Sequence, residues 1–112
     1  MKILLILNDK PDSGERAFNM LRLATTLSKN KKITLKVFLL GDAVTCSIKA
    51  QKDQNVLAML DTVANSGAAV GACSTCLNSR GINDNELIRG THRQTMEDLA
   101  AWVIDADKVV TF

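Results

Sequence analysis

Five consecutive apolar residues, Ile3-Leu4-Leu5-Ile6-Leu7, open the chain. Successive side chains of a strand point to opposite faces, so an unbroken apolar strand needs cover on both sides. That condition is met in a parallel sheet whose crossover helices lie above and below it. With 112 residues there is room for one such domain, spanning 1–112. The following segment fits the scheme. Asn8 to Gly14 is polar and holds the only proline, Pro11, and Asp12 with Glu15 reads as a capping box. Ala17, Met20, Leu21, Ala24, Leu27 and Ser28 then share one helical face, with Phe18 and Leu23 at its margin. The basic turn Lys29-Asn30-Lys31-Lys32 ends that helix.

The pattern then repeats. Ile33, Leu35, Val37 and Leu39 mark a second strand, half exposed at its start and fully buried by Leu40. Gly41 turns the chain, and Asp42 is an N-cap residue for a helix running to about Ala50. After a polar loop over Gln51 to Gln54, Val56, Met59, Leu60, Val63 and Ala64 form another helical face, closed by Gly67. Ala68 to Ala72 is a third strand, built of small residues that permit close approach of neighbouring backbone. Asn83 to Gly90 holds a helical turn and a short extended piece. Thr91 and Gln94 read as the capping box of the last helix, whose inward face is Met96, Leu99, Ala100 and Val103. Lys108 to Phe112 is the closing strand. Strands alternating with helices predict a three-layer α/β/α domain with a mainly parallel sheet.

Composition narrows the function classes. The net charge is +2, and the one basic cluster reads as a solvated turn rather than a nucleic-acid footprint. Three Phe, one Trp and no Tyr are too few for a base-stacking platform. The five apolar residues after Lys2 are too short for a signal peptide, and no run approaches a membrane span. A cytoplasmic protein with reduced thiols is therefore expected, free of nucleic acid and membrane. Three cysteines, an odd number, argue against a disulfide scaffold. There is no phosphate-binding glycine loop, no GxGxxG and no His-Glu-x-x-His.

Chemistry concentrates in Gly71 to Gly81, where Cys73 and Cys76 are spaced Cys-x-x-Cys and Arg80 follows. Sites in parallel sheets form beyond the carboxyl ends of the strands, and Cys73, Cys76, Asp42 and Cys46 are predicted to share that rim. Each has a functional and a plain reading. Cys73 is a sulfur-handling thiol or a packed cysteine. Cys76 is a resolving thiol or lines the pocket. Asp42 is a pocket residue or simply a cap. Cys46 packs in the core unless it is a third rim thiol. Arg80 is the nearest cation able to favour a thiolate, and His92 opens the last helix, either at the surface or near the site. Three Cys and His92 match the donors of a zinc site, but such sites use close ligand pairs and Cys46 and His92 stand apart, so no metal or other cofactor is expected. Ser74-Thr75 is not the filling of a thioredoxin motif, and Pro11, the only proline, leaves no cis-proline candidate opposite it; dithiol redox exchange between Cys73 and Cys76 and a non-catalytic homo-oligomeric binding or assembly module stay open as alternatives.

Four segments carry a family resemblance. They are Gly14-Glu15-Arg16-Ala17-Phe18-Asn19 into Leu21-Arg22-Leu23-Ala24; Val37 to Val44, with Leu40-Gly41-Asp42 at its centre; Cys73-Ser74-Thr75-Cys76-Leu77-Asn78-Ser79-Arg80-Gly81-Ile82; and Thr95 to Trp102 into Ala106 to Phe112. In this order, almost end to end, they resemble the DsrE/DsrF-like family and its small YchN-type members. The resemblance implies a cytoplasmic α/β protein that assembles as a homotrimer or homohexamer and carries sulfur as a cysteine persulfide between donor and acceptor proteins. The sulfur-bearing cysteine of such proteins lies eight residues before an Arg-Gly glycine, which here selects Cys73. Cys76 matches a second cysteine of the YchN-type members. The longer loops of hetero-oligomeric members are missing, which implies a homo-oligomer.

Overall fold

The computed structural model describes residues 1–12 and 14–112. Five strands form one sheet: β1 (Lys2–Leu7), β2 (Thr34–Leu39), β3 (Ala69–Cys73), β4 (Thr91–Gln94) and β5 (Lys108–Thr111). Their spatial order is β4-β3-β2-β1-β5, and every neighbouring pair is parallel. The helices are α1 (Arg16–Ser28), α2 (Gln54–Asn65), α3 (Ser74–Ser79) and α4 (Met96–Asp105). From β1 to β4 the chain steps across the sheet in one direction, and from β4 to β5 it returns past β1. Right-handed crossovers therefore put α1, α2 and α3 on one face and α4 on the other. This is the expected three-layer α/β fold, with a sheet parallel throughout.

The core follows from the apolar runs. Leu4, Leu5 and Leu7 are fully buried, as are Val37, Phe38 and Leu39 of β2. In α1 the buried residues are Ala17, Met20, Leu21 and Ala24, and in α2 they are Val56, Leu60 and Val63. Gly67, at φ +96°, ends α2 as expected, because that region suits glycine.

Several expected details change. The polar loop over Asn8 to Gly14 is described apart from residue 13, and α1 begins at Arg16 with no side-chain cap, so Asp12 and Glu15 form no capping box. The helix expected from Asp42 to Ala50 is a seven-residue 3₁₀ segment, Gly41–Ser47, again without a side-chain cap. The Asp42 carboxylate is engaged by Arg80 instead. Thr91 and Gln94 cap no helix: they bound β4, the edge strand beside β3. The cap of α4 is Thr95 with Asp98, whose side chains and backbone N–H groups satisfy each other reciprocally. The inward face of α4 is also rotated. Leu99 is buried and Trp102 packs edge-on against Phe38 with ring centroids 5.7 Å apart, while Met96 and Val103 are exposed.

Small residues in β3 explain that rotation. A Cβ placed on Gly71 would lie 2.9 Å from Gln94 Cγ and 3.2 Å from both Phe38 Cδ2 and Trp102 Cη2. The glycine thus admits two aromatic rings to the sheet surface rather than a neighbouring backbone.

Candidate functional site

Cys73 is the last residue of β3 and sits at the N-cap of α3, so one sharp strand-to-helix turn positions both thiols. Its Sγ accepts a hydrogen bond from the Cys76 N–H at 3.4 Å. The Cys76 Sγ in turn accepts from the Gly41 N–H at 3.2 Å. Gly41 begins the segment after β2, at φ +54°, a conformation that strains any residue with a side chain. The two thiols therefore lie in one hydrogen-bonded chain at the carboxyl ends of β2 and β3.

Their environments differ. Cys73 is only 4% exposed, whereas Cys76 is half-buried. Burial pushes the Cys73 thiol above its usual value, and hydrogen bonding of the protonated thiol to the Cys76 side chain adds to this; the N–H groups of Cys76 and Thr75 act the other way. Arg80 donates to Asp42 Oδ1 from Nη2 at 2.6 Å and from Nε at 3.2 Å, and from Nη1 to the Cys76 carbonyl at 3.0 Å. Hydrogen bonding from Arg80, and its charge, hold the Asp42 carboxyl below the usual carboxylate range. The cation expected beside the thiols is thus paired with a carboxylate, and it braces the turn rather than facing sulfur.

The structure brings together Cys73, Cys76, Asp42 and Arg80. Cys46 is near the same end of the sheet but fully buried, with its Sγ 3.9 Å from the Asp9 carbonyl oxygen. Burial pushes its thiol up to about 12, and Asp53 and Asp9 reinforce the effect. His92 does not open a helix. It is exposed in β4, in register with Gly71, two residues before Cys73 along β3.

Sequence reasoning missed Arg93. From β4 it reaches α3 and the chain beyond: Nε to Asp84 Oδ1 at 2.6 Å, Nη1 to Asn78 Oδ1 at 2.8 Å and to the Ser74 carbonyl at 3.2 Å, and Nη2 to the Ile82 carbonyl at 3.0 Å. Its partners lie between nine and nineteen residues away, and no spacing in the sequence marks them as a group. A cleft of about 630 Å³ opens beside Asp42, lined among others by Lys10, Asp12, Gln51, Lys52 and Asp53, and neither Cys73 nor Cys76 reaches it.

A thiol pair at a strand end admits several chemistries, and comparison with known proteins narrows them. The DsrE/DsrF-like family model matches residues 1–112. The chain belongs to the DsrE/DsrF-like family. It is 38% identical to Protein YchN of Escherichia coli over 115 residues, covering 99% of this chain and 98% of that protein. An uncharacterised protein of Methanocaldococcus jannaschii is 36% identical over the full length of both chains. The crystal structure of the E. coli ychN protein superposes with a TM-score of 0.93 over 100% of this chain and 99% of that one. A protein of unknown function from Methanobacterium thermoautotrophicum, 11% identical, shares the fold at a TM-score of 0.79 over 99% of this chain and 98% of its own. Family membership is consistent with a sulfur-relay-like protein. No helix among the described residues is long and apolar enough to cross a membrane.

Proposed function

We propose that this chain is a cytoplasmic sulfur carrier that holds a persulfide on Cys73, with Cys76 in support, and passes it from a donor protein to an acceptor. The observation that carries the reading is the linked pair of thiols at the β3–α3 turn, with backbone N–H groups directed at both sulfurs. Loading conserves oxidation state overall. A thiolate attacks the outer sulfur of a donor persulfide, the donor S–S bond breaks, and the donor leaves as a thiolate. Transfer to the acceptor repeats the same exchange. The thiolate is the attacking species, so the backbone N–H groups of Cys76 and Thr75 must offset the burial that disfavours it at Cys73.

The carrier works as a homo-oligomer, a trimer or hexamer, in this reading. Ile104 is 85% exposed, and Met96, Val103, Val109 and Val110 are exposed with it along α4 and the edge strand β5. Exposed apolar residues on α4, and an edge strand with apolar side chains on both of its faces, each suit contact between copies.

The test is to incubate reduced protein with a cysteine desulfurase and cysteine and to measure intact mass. One added sulfur atom that maps to Cys73, persists in Cys46→Ser and vanishes when Cys73 and Cys76 are both serine is the expected result. No sulfur uptake from any donor would refute the reading. The cleft beside Asp42 favours a second one, a non-catalytic binding module, for which Cys73→Ala would leave ligand or partner binding unchanged.

A further inference from the structure

We infer that Cys76, not Cys73, is the thiol that receives sulfur from the donor, and that Cys73 is the sheltered site to which it is then handed. This inference rests on the sulfur-carrier reading and assigns the order of events within it. Three observations support it. A donor's persulfide must reach the attacking sulfur, and Cys73 is 4% exposed while Cys76 is half-buried. The Gly41 N–H donates to the Cys76 Sγ at 3.2 Å, closer than the 3.4 Å at which the Cys76 N–H reaches the Cys73 Sγ, and it comes from a separate segment that holds a preformed donor at that atom. Asp42 follows Gly41 directly, and through Arg80 it is tied to the Cys76 carbonyl, so this brace keeps the amide on the sulfur.

The steps balance without an added oxidant or reductant. The Cys76 thiolate attacks the outer sulfur of the donor persulfide, and the donor thiolate departs. Cys73 then loses its proton, and its thiolate attacks the outer sulfur of the Cys76 persulfide. The bond between that sulfur and Cys76 Sγ breaks, and Cys76 leaves as a thiolate onto the Gly41 N–H, able to take the proton Cys73 gave up. The Gly41 N–H receives the charge that develops on the leaving Cys76 sulfur in this step. The result places the sulfur on the less accessible cysteine, away from unintended acceptors. Asp42 and Arg80 are positioning residues for the first step.

The experiment follows loading by inorganic polysulfide at neutral pH, with quenching by excess alkylating reagent and mass mapping of each cysteine. Cys76→Ser is expected to load Cys73 at least about tenfold more slowly than the native protein, the cost of relying on a buried thiol. Cys73→Ser is expected to load at the native rate and to strand the sulfur on Cys76. Loading of Cys73 at the native rate in Cys76→Ser would overturn the inference while leaving the sulfur-carrier reading intact. A native protein that takes up no sulfur would instead count against the sulfur-carrier reading. Iodoacetamide labelling of the same native protein decides the order of thiol reactivity in either case. Cys76 should react about tenfold faster than Cys73 or more, and equal or reversed rates would overturn the inference.

Discussion

Replacing Gly71 with alanine tests the packing that seats α4 on the sheet. The added methyl would lie 2.9 Å from Gln94 Cγ, and that flexible side chain can swing away. It would also lie 3.2 Å from Phe38 Cδ2 and from Trp102 Cη2. Those rings pack edge-to-face at a centroid separation of 5.7 Å; Phe38 is fully buried and does not yield cheaply, and half-buried Trp102 can shift only by giving up that contact. Overpacking of this kind costs about 1–3 kcal/mol. Alanine recovers about 0.5–1 kcal/mol because glycine is unfavourable within a strand and Gly71 has no positive φ to protect. The net expectation is a loss of about 0.5–2 kcal/mol, which for a chain of this length lowers Tm by roughly 2–8 °C. Urea denaturation at fixed protein concentration measures it, and the fluorescence of Trp102, the only tryptophan, reports whether the ring has shifted. Unchanged or increased stability with an unaltered Trp102 spectrum would refute the reasoning.

Arg93→Ala should cost about 2 kcal/mol, because it leaves the part-buried Ser74 carbonyl and hydroxyl and the Ile82 carbonyl without their charged donor; hydrogen exchange should rise first in Ser74 to Ile82, and uniform exchange across the chain would contradict this. If copies associate through the exposed apolar residues of α4, as proposed, Ile104→Glu should lower the sedimentation coefficient relative to the native protein, and an unchanged coefficient would refute that contact. Cys46, with its thiol pushed up to about 12, should resist alkylation at pH 8 until the chain unfolds. Its folded value lies above the unfolded one. The protonated thiol therefore contributes stability that is intact below about pH 8.5 and lost progressively from there toward pH 12. A Cys46→Ala variant should show a weaker alkaline loss of stability, and an identical alkaline limb would remove Cys46 as its source.

The layered fold was legible because burial on both faces leaves an unambiguous mark. Ile3 to Leu7 and Val37 to Leu40 have no polar position to expose, and Gly67 stands where α2 must stop. The placement of Cys73 at a strand end was legible for the same reason. The facing of α4 was not. From Leu99 to Ile104 every residue is apolar, so periodicity permits more than one inward stripe, and the gap over Gly71 settles it in favour of Trp102. Thr91 and Thr95 both begin a plausible capping box, and the free edge of β3, invisible in local sequence, claims the first of them for β4. Asp42 reads as a cap because nothing nearby reveals Arg80, thirty-eight residues further on. The brace at the thiols is thus a product of topology rather than of local pattern.

The strand order has a consequence for synthesis. β1 is made about a hundred residues before β5, yet one of its two edges is covered only by β5, through pairings from Ile3↔Lys108 to Ile6↔Thr111. Until residues 108–111 leave the ribosome, the most apolar strand of the sheet has an unpaired edge. Such an edge invites pairing with other chains. Growing chains of this protein should therefore depend on chaperone cover, or on speed of completion, to a degree that the finished fold conceals.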